Sequence, residues 1–387
     1  MNILIDCLSL MTRNGAAEYL RRVIEELLQS GKNNRDVVFY GVYDSRHGIA
    51  YDDVQPDIME QKGFVKMVDI ANSNLVDIVD ANKIDTFFIG CVQVLENYKE
   101  LADLQCRVVV VAHDLSFEEI HRDDIDIYWR VQNKSTASLI NWLLLHKKKS
   151  RTKSWHIFNT VKLMERNSKA IIIAVSNYTK NTILYAYNLP EERIHVLYSP
   201  ERVYNGHDGE VENLELRSLI DNHKPFFMLL GTQHPLKNTR KAINAFRRFA
   251  ELYPDYYLVT AGKMLDKQFD NHIPLSYLSE HDLQKAYQSC HALIYPTLFE
   301  GFGYPPVEVM RYSKPVLSSN VGAVREVLAD APIYFSPLYE ADIFQALCSF
   351  VNTDYSALQA ACRRQYEKIS TRQHDDLMTL LNLILCK

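Results

Sequence analysis

The residues with the clearest chemical potential lie in the segment FEGFGYPPVEVM, Phe299–Met310. It carries two glutamates, Glu300 and Glu308, on either side of a loop that contains two glycines. Carboxylates placed in this way can accept hydrogen bonds from hydroxyl groups at both ends of one ligand. The alternatives are that Glu300 is solvated and that Glu308 only complements the dipole of the helix that follows.

The loop between the two glutamates is suited to close contact with a ligand. Gly301 and Gly303 let the backbone approach closely, because glycine has no side chain. The pair Pro305–Pro306 favours the first turn of a helix, where a missing amide hydrogen costs nothing. Amides at a helix start bind anionic or hydroxyl-rich groups, and the expected donors are those of Gly301, Phe302, Gly303 and Tyr304.

A second candidate segment is GTQHPLKNTRKAINAF, Gly231–Phe246. The segment begins at the end of a predicted strand, with Gly231 and Thr232, and continues as a loop. A predicted helix then starts near Lys237 and Asn238. A lysine supplies a point charge and a helix start supplies oriented amides, so the pattern predicts a phosphate cradle. The alternative is that Lys237 is an ordinary surface lysine near a helix start.

In the N-terminal half, His113 follows the buried strand Arg107–Ala112. Carboxyl ends of parallel strands line the ligand crevice of doubly wound sheets, so this histidine is predicted to face a ligand rather than the core. Gly15 lies in the predicted loop after the first strand. Asp124 and Asp126 form a D-x-D on a polar loop, and we interpret them as solvated charge rather than metal ligands.

The elements that must position these residues follow a recurrent pattern. Short β-branched runs alternate with helical stripes, which is typical of parallel sheets covered by helices on both faces. The predicted strands are Asn2–Asp6, Val37–Val42, Thr86–Gly90, Arg107–Ala112, Ala170–Val175, Pro225–Leu230, Tyr257–Ala261, Ala292–Tyr295, Pro315–Ser318 and Ile333–Phe335. The predicted helices of the second half include Thr239–Leu252 and Pro306–Tyr312.

The break in this pattern predicts two domains. Apolar density falls over about 201–224, which we interpret as a linker. The expected fold class is α/β, with two Rossmann-like domains, 1–200 and 201–371, and a ligand cleft between them. The amphipathic helix over about 372–387 can pack back on the first domain or lie on the second.

Composition excludes several classes of protein. Of 387 residues, 47% are apolar and 24% are charged, as in an ordinary soluble globular protein. Lys and Arg number 43 against 48 Asp and Glu, a balance that argues against a nucleic-acid binder. Seven scattered cysteines without a C-x-x-C pair favour a reducing compartment and no zinc site. With no basic region before the first apolar run and no long apolar segment, we expect a cytoplasmic protein.

The C-terminal half resembles the GT-B glycosyltransferases, in particular the retaining family 4. Glu300 and Glu308 match its E-x7-E signature in the context E-G-F-G-x-P-x-x-E. The likeness continues through Lys314–Val316, Gly322, Arg325–Val327 and Ala329–Pro337. An arginine often follows the family's glycine in the phosphate loop, and Thr232 stands there in this chain.

The resemblance implies a hexosyltransferase that moves a sugar, with retention and without a metal or other cofactor, from a nucleotide diphosphate to a hydroxyl. GDP-mannose and UDP-sugars are the candidate donors, and a glycan or lipid-linked saccharide of bacterial surface polysaccharide, such as lipopolysaccharide, is the implied acceptor. It assigns catalytic roles to His113, Glu300 and Lys237. It assigns donor binding to Gly15, Gly231, Thr232, Lys237, Asn238, Gly301, Phe302, Gly303, Tyr304 and Glu308.

Other functions stay open on the sequence alone. A GT-B sugar-nucleotide epimerase would use the same donor residues without an acceptor, and a non-catalytic protein would bind the nucleotide sugar without releasing nucleotide from it. Residues 139–153 combine the apolar run LINWLLL with a basic cluster. They predict either peripheral contact with the inner face of the cytoplasmic membrane or a helix with a solvated basic end.

Overall fold

The computed structural model describes residues 1–12, 14–32, 36–116, 162, 164–202, 209–232, 234–262 and 266–386. The chain forms two compact units. The described residues up to 202, together with 372–386, belong to unit 1, and residues 209–371 belong to unit 2. The D-x-D of Asp124 and Asp126 and the 139–153 segment lie outside the described residues.

Unit 1 is built on a parallel sheet of seven strands in the order β3-β2-β1-β4-β5-β6-β7. The strands are β1 Asn2–Asp6, β2 Val38–Tyr43, β3 Phe64–Asp69, β4 Thr86–Ile89, β5 Arg107–Ala112, β6 Ala170–Ala174 and β7 Ile194–Val196. The helices are α1 Gly15–Lys32, α2 Pro56–Lys62, α3 Leu75–Ala81 and α4 Asn177–Ala186. The chain reverses its order of strands between β1 and β4, where ligand crevices form in such sheets.

Unit 2 repeats this architecture with six parallel strands in the order β10-β9-β8-β11-β12-β13. The strands are β8 Phe226–Leu230, β9 Tyr257–Ala261, β10 His272–Leu275, β11 Ala292–Tyr295, β12 Val316–Ser319 and β13 Ile333–Phe335. The helices are α5 Leu214–Asp221, α6 Thr239–Leu252, α7 Glu280–Ser289, α8 Tyr304–Met310, α9 Val324–Leu328, α10 Glu340–Val351 and α11 Tyr355–Ile384. The order of strands reverses between β8 and β11.

The predicted fold class is confirmed: both units are doubly wound parallel sheets with buried central strands. The predicted linker over about 201–224 contains helix α5, which is capped by Asn213, whose side chain accepts a hydrogen bond from the Leu216 amide. The last helix is also longer than predicted, because α11 begins at Tyr355 rather than near 372.

The end of α11 belongs to unit 1. The Gln373 side chain donates to the Ser199 carbonyl at 2.6 Å, and the Tyr198 amide donates to Asp376 at 2.8 Å. The Arg372 guanidinium lies 3.6 Å from the ring centroid of Tyr198. Apolar side chains further along the helix are buried, namely those of Leu377, Leu380, Leu381, Ile384 and Leu385. The final segment therefore completes the packing of unit 1.

Candidate functional site

The two segments that stand out in the sequence meet at the reversal point of unit 2. The first follows β8, where Gly231 adopts φ 75°, a conformation that favours glycine. It then forms the short turn Pro235–Lys237. The second follows β11, and the Leu298 amide donates to the Leu236 carbonyl at 2.7 Å. This hydrogen bond holds the two loops side by side.

Lys237 and Glu300 form an ion pair between these loops. Both side chains are largely buried, with 26% of the lysine side chain and 17% of the glutamate side chain exposed. The Thr297 hydroxyl lies 3.0 Å from the same Glu300 oxygen, and the Lys237 ammonium lies 3.4 Å from the Tyr295 hydroxyl. Glu300 is therefore not solvated, and Lys237 is not an ordinary surface lysine.

The backbone of Glu300 is held as firmly as its side chain. Its carbonyl accepts a hydrogen bond from the Ala323 amide at 3.1 Å. Gly322 lies directly against it, with φ 51°, and a Cβ atom at this position would stand 2.6 Å from the Glu300 carbonyl oxygen. Only glycine fits there without displacement of the loop.

Glu308 is buried in the second turn of α8, whereas the sequence placed it in the first. Its side chain accepts a hydrogen bond from the Tyr287 hydroxyl at 2.9 Å, and the residue is 7% exposed. Its position is too far along the helix for the role of complementing the positive end of the dipole, which acts within the first turn. Glu308 is thus a buried carboxylate whose position is set by a tyrosine of another helix.

The loop from Gly301 to Tyr304 is compact. Phe302 is 5% exposed and its ring meets that of Tyr304 edge-on, with centroids 5.5 Å apart. Gly303 adopts φ 96° and immediately precedes α8, which begins at Tyr304 and not at the two prolines. The prediction that the glycine-containing loop leads directly into a helix is confirmed.

Thr232 and Asn238 are both buried on the β8 side of the site. Gly262, directly after β9, packs against Thr232, since a Cβ atom there would lie 3.1 Å from the threonine hydroxyl. Asn238 adopts the left-handed conformation with φ 51°, and its side-chain amide donates to the Pro337 carbonyl at 2.8 Å. Asn238 therefore fixes the backbone that carries Lys237.

His113 lies at the carboxyl edge of the sheet in unit 1, directly after β5. Its Nε2 is 2.9 Å from the Gly90 carbonyl, and its ring meets that of Tyr19 edge-on at 4.9 Å. A carbonyl only accepts hydrogen bonds, so the proton resides on Nε2 and Nδ1 is left as an acceptor. Burial lowers the pKa of His113, which keeps the ring neutral.

Gly15 is the first residue of α1 rather than a loop residue, which corrects the sequence prediction. The preceding Asn14 caps the helix, since its side-chain oxygen accepts from the Ala17 amide at 2.9 Å. Tyr19, the contact of His113, lies one turn further along the same helix. Gly15 and His113 thus belong to neighbouring elements of unit 1.

Sequence reasoning missed four residues that support these sites. In unit 2, Thr297 contacts Glu300, Tyr287 contacts Glu308, and the Tyr295 hydroxyl accepts a hydrogen bond from Lys237. In unit 1, Asp6 ends β1 fully buried and accepts hydrogen bonds from Tyr98, Ser9 and the Leu8 amide. A polar residue at the end of a buried strand was the available signal for Tyr295 and Asp6.

Among the residues that the structure describes, no cluster of three or more His, Cys, Asp or Glu side chains is placed to hold a metal ion. Likewise, no helix within the described ranges has the length and hydropathy needed to cross a membrane.

Comparison with known proteins gives a match to one family model and a set of structures with the same fold. Residues 211–345 match the family model described as glycosyl transferases group 1. Over nearly its whole length the chain superposes on solved structures with little sequence identity. Sucrose-phosphate synthase from Thermosynechococcus elongatus gives a TM-score of 0.66 at 12% identity, over 99% of this chain and 98% of that one. WaaG, a glycosyltransferase of lipopolysaccharide biosynthesis, gives 0.62 at 13%, over 99% of each chain.

The fold is therefore the GT-B fold, and the stretch that matches the glycosyl transferases group 1 model lies within unit 2. Similar sequences include the O-antigen chain mannosyltransferase RfbU of Salmonella typhimurium, 27% identical over 43% of this chain and 46% of that protein. The serotype-specific mannosyltransferase WbdA of Escherichia coli is 26% identical over 54% of this chain and 28% of that protein. These matches span about half or less of each relative.

Proposed function

We propose that this protein transfers a hexose from a nucleotide-diphosphate sugar to a hydroxyl of a glycan or lipid-linked saccharide in bacterial surface polysaccharide assembly. The observation that carries the proposal is the Lys237–Glu300 pair beside the Gly301–Gly303 loop, at the reversal point of the group 1 domain. The similarity to an O-antigen chain mannosyltransferase and to a serotype-specific mannosyltransferase makes GDP-mannose the first donor to test and UDP-sugars the second.

The costly event in such a transfer is departure of the nucleoside diphosphate. Negative charge grows on its phosphate oxygens as the glycosidic bond breaks, and fixed positive groups lower the energy of that state. Lys237 is the cation of this site that can supply such a charge, and the amides of the loops after β8 and β11 add oriented dipoles. Donor binding by Gly231, Thr232 and Asn238 on the β8 side is part of the proposal.

The two glutamates contact different parts of the donor. Glu308 accepts hydrogen bonds from the ribose hydroxyls, and Glu300 with the amides of Gly301–Tyr304 orients the transferred sugar. The neutral ring of His113 accepts a hydrogen bond at Nδ1 from a hydroxyl of the sugar. Gly15 lies near the phosphates. These roles combine the resemblance to family 4 with the hydrogen-bonding state that each side chain has in the structure.

Retention of the anomeric configuration and independence of metal ions are further parts of the proposal. Both follow from the resemblance to family 4, and we assign retention to attack from the face of the departing phosphate. Nuclear magnetic resonance of the product reports the configuration, and activity in excess EDTA reports the metal requirement. An inverted product, or activity restored only by a divalent cation, would contradict this part alone.

The proposed location is the cytoplasm, with the 139–153 segment as a peripheral contact with the inner membrane face. Liposome co-sedimentation of a variant with Lys147, Lys148, Lys149, Arg151 and Lys153 neutralised tests that contact. Undiminished binding of the variant to anionic vesicles would remove it.

The central experiment is a panel of GDP-, UDP- and ADP-sugars assayed for nucleotide release with an acceptor saccharide. We expect one donor to be turned over by the wild type and Glu300→Ala to be nearly inactive while nucleotide affinity is largely kept. Glu251→Ala, which removes an exposed glutamate at the end of α6, is the matched control and is expected to retain activity.

The same assay distinguishes the transferase from two alternative functions. A GT-B epimerase would convert the donor sugar without an acceptor, which sugar analysis of the donor pool reveals. A non-catalytic binding protein would bind a nucleotide sugar and release no nucleotide from any of them. The similarity to mannosyltransferases favours the transferase.

A further inference from the structure

A cavity of about 530 Å³ lies at the carboxyl edge of the sheet in unit 2, at the ends of β11, β12 and β13. Its volume falls within the range of sites that bind small molecules in proteins. The proposed donor contacts involve none of the residues that line it. These come from β13 and from the loops after the three strands, and they include Leu298, Asn320, Val321, Tyr334, Ser336 and Leu338.

The cavity borders the loop that carries Glu300. Leu298 lies two positions before Glu300, and its amide donates to the Leu236 carbonyl at 2.7 Å. Val321 directly precedes Gly322, which lies against the Glu300 carbonyl oxygen. A ligand in the cavity would therefore be next to the loop that is proposed to orient the transferred sugar.

The wall of the cavity after β13 is held in place by α6. The side-chain amide of Asn238, which precedes this helix, donates to the Pro337 carbonyl at 2.8 Å. Lys241, only 9% exposed, donates from its ammonium to the Leu338 carbonyl. These contacts are made without a ligand, so the loop needs no reordering when a ligand binds.

The chemistry of the lining limits the kind of ligand. Among the described residues that line the cavity, none carries a charge. The Arg325 guanidinium lies 4.6 Å from the ring centroid of Tyr334, but it forms an ion pair with Asp330 at 2.8 Å. A phosphate group would lack the free cation that phosphate sites supply. A purely apolar chain would cover the polar side chains of Asn320 and Ser336 without pairing them.

A saccharide has the complementary chemistry. A pyranose ring presents an apolar face of C–H groups and a rim of hydroxyls. Leu298, Val321 and Tyr334 supply apolar surface, while an asparagine amide and a serine hydroxyl can both donate and accept hydrogen bonds. We propose that this cavity is a saccharide subsite of unit 2, which binds uncharged sugar units of the acceptor beside the hydroxyl that reacts. This inference rests on the proposed function.

Binding of uncharged trisaccharides built from mannose, glucose or galactose, followed by saturation-transfer nuclear magnetic resonance, tests the subsite without turnover. The side chain of Asn320 is exposed, so its replacement should leave the fold intact, which thermal unfolding checks. We expect Asn320→Ala to weaken binding of the preferred trisaccharide about fivefold, the usual effect of one lost hydrogen bond. Asn320→Trp, which fills part of the cavity, should abolish it.

Two further variants serve as controls. Asn222→Ala, at the exposed end of α5, should bind the trisaccharide like the wild type. Lys237→Met should weaken binding of GDP and UDP but not of the trisaccharide, whereas the Asn320 variants should do the reverse. Absence of trisaccharide binding by the wild type, unchanged binding by Asn320→Trp, or displacement of the trisaccharide by GDP or UDP would overturn the inference.

Steady-state kinetics then separate the subsite from the proposed function. Asn320→Ala should raise the KM for the acceptor about fivefold and leave kcat and the donor KM unchanged, because the lost contact is made equally in the ground state and the transition state. If no donor is turned over but the Asn320 variants still lose trisaccharide binding, the proposed function fails and the subsite stands. Turnover with an unchanged acceptor KM in both variants would refute the subsite alone.

Discussion

At the scale of single residues, the candidate functional residues of each unit are polar or charged groups that are shielded from water and matched to fixed partners. Lys237 meets Glu300, Tyr287 meets Glu308, and His113 meets a main-chain carbonyl. Such groups are costly to bury without partners. The direction in which each substitution changes activity, binding or stability can therefore be predicted.

Lys237→Met tests the cation of the site, because methionine keeps the apolar stem and removes the charge. We expect donor turnover to fall by at least about 100-fold, the usual cost of losing a group that stabilises developing charge. Nucleotide diphosphate should also bind more weakly in calorimetry. Lys368→Met, at an exposed position of α11, is the control, and turnover of Lys237→Met within threefold of the wild type would contradict the role.

Asp6→Asn tests a buried carboxyl in unit 1. Burial raises the pKa of Asp6 from 3.8 to about 6, so in the folded state this group keeps its proton where the unfolded chain has lost it. Its contribution to stability must then fall as pH rises from about 4 to 6, by roughly 3 kcal/mol in total. Relative to the wild type, Asp6→Asn should gain stability over that range.

The measurement is the thermal unfolding of both proteins from pH 4 to 7, compared at each pH. The histidines that titrate in this range are common to both proteins, so their effects cancel in the difference. A difference between the two proteins that does not vary with pH would show that Asp6 is not held protonated.

At the scale of elements, sequence predicted the central strands well but missed three of the four sheet-edge strands, the exception being β13. Strands β1, β5, β9 and β11 coincide with predicted runs, because strands buried on both faces are continuously apolar. Phe64–Asp69, Ile194–Val196 and His272–Leu275 were missed. They are sheet-edge strands or short strands with partly exposed residues, which leaves no continuous apolar run to detect.

The same limit applies to the site. The E-x7-E spacing and the Lys237 loop identified the charged residues, because local patterns carry them. The tyrosines could not be assigned, since Tyr287 lies 21 positions before Glu308 and meets it only when α7 packs beside α8. Contacts that depend on the packing of two elements leave no spacing rule in the sequence.

Gly322→Ala tests how the loop after β12 supports Glu300. Alanine would need φ near 51°, which costs about 1 kcal/mol, and its Cβ would overlap the Glu300 carbonyl oxygen. We expect a lower unfolding temperature and a higher donor KM. Gly48→Ala is the matched control, since Gly48 has φ 69° but open space around it, and a loss no larger than in this control would contradict the steric argument.

At the scale of the whole molecule, unit 1 is assembled from two distant stretches of chain. Residues 372–386 contribute the side chains of Leu377, Leu380, Leu381 and Ile384 to its interior, while residues 209–371 form unit 2. The helix that carries these leucines is therefore a structural part of unit 1.

Leu380→Ala tests that contribution. Leu380 is 1% exposed, and truncation of a buried leucine to alanine costs about 2–5 kcal/mol. We expect calorimetry to show a lower unfolding temperature for the transition of unit 1, with that of unit 2 unchanged. Leu338→Ala, at an exposed site, is the control, and equal effects of the two substitutions would argue against a packing role for the end of α11.

The division of unit 1 between both ends of the chain has a consequence during synthesis on the ribosome. Domains usually fold in the order in which they emerge from the exit tunnel. Here residues 372–386, which complete the packing of unit 1, are translated after unit 2, so the interior of unit 1 stays incomplete until they emerge. Unit 2, whose sequence is finished earlier, is free to fold first, and the nascent strands of unit 1 must avoid aggregation while residues 209–371 are synthesised.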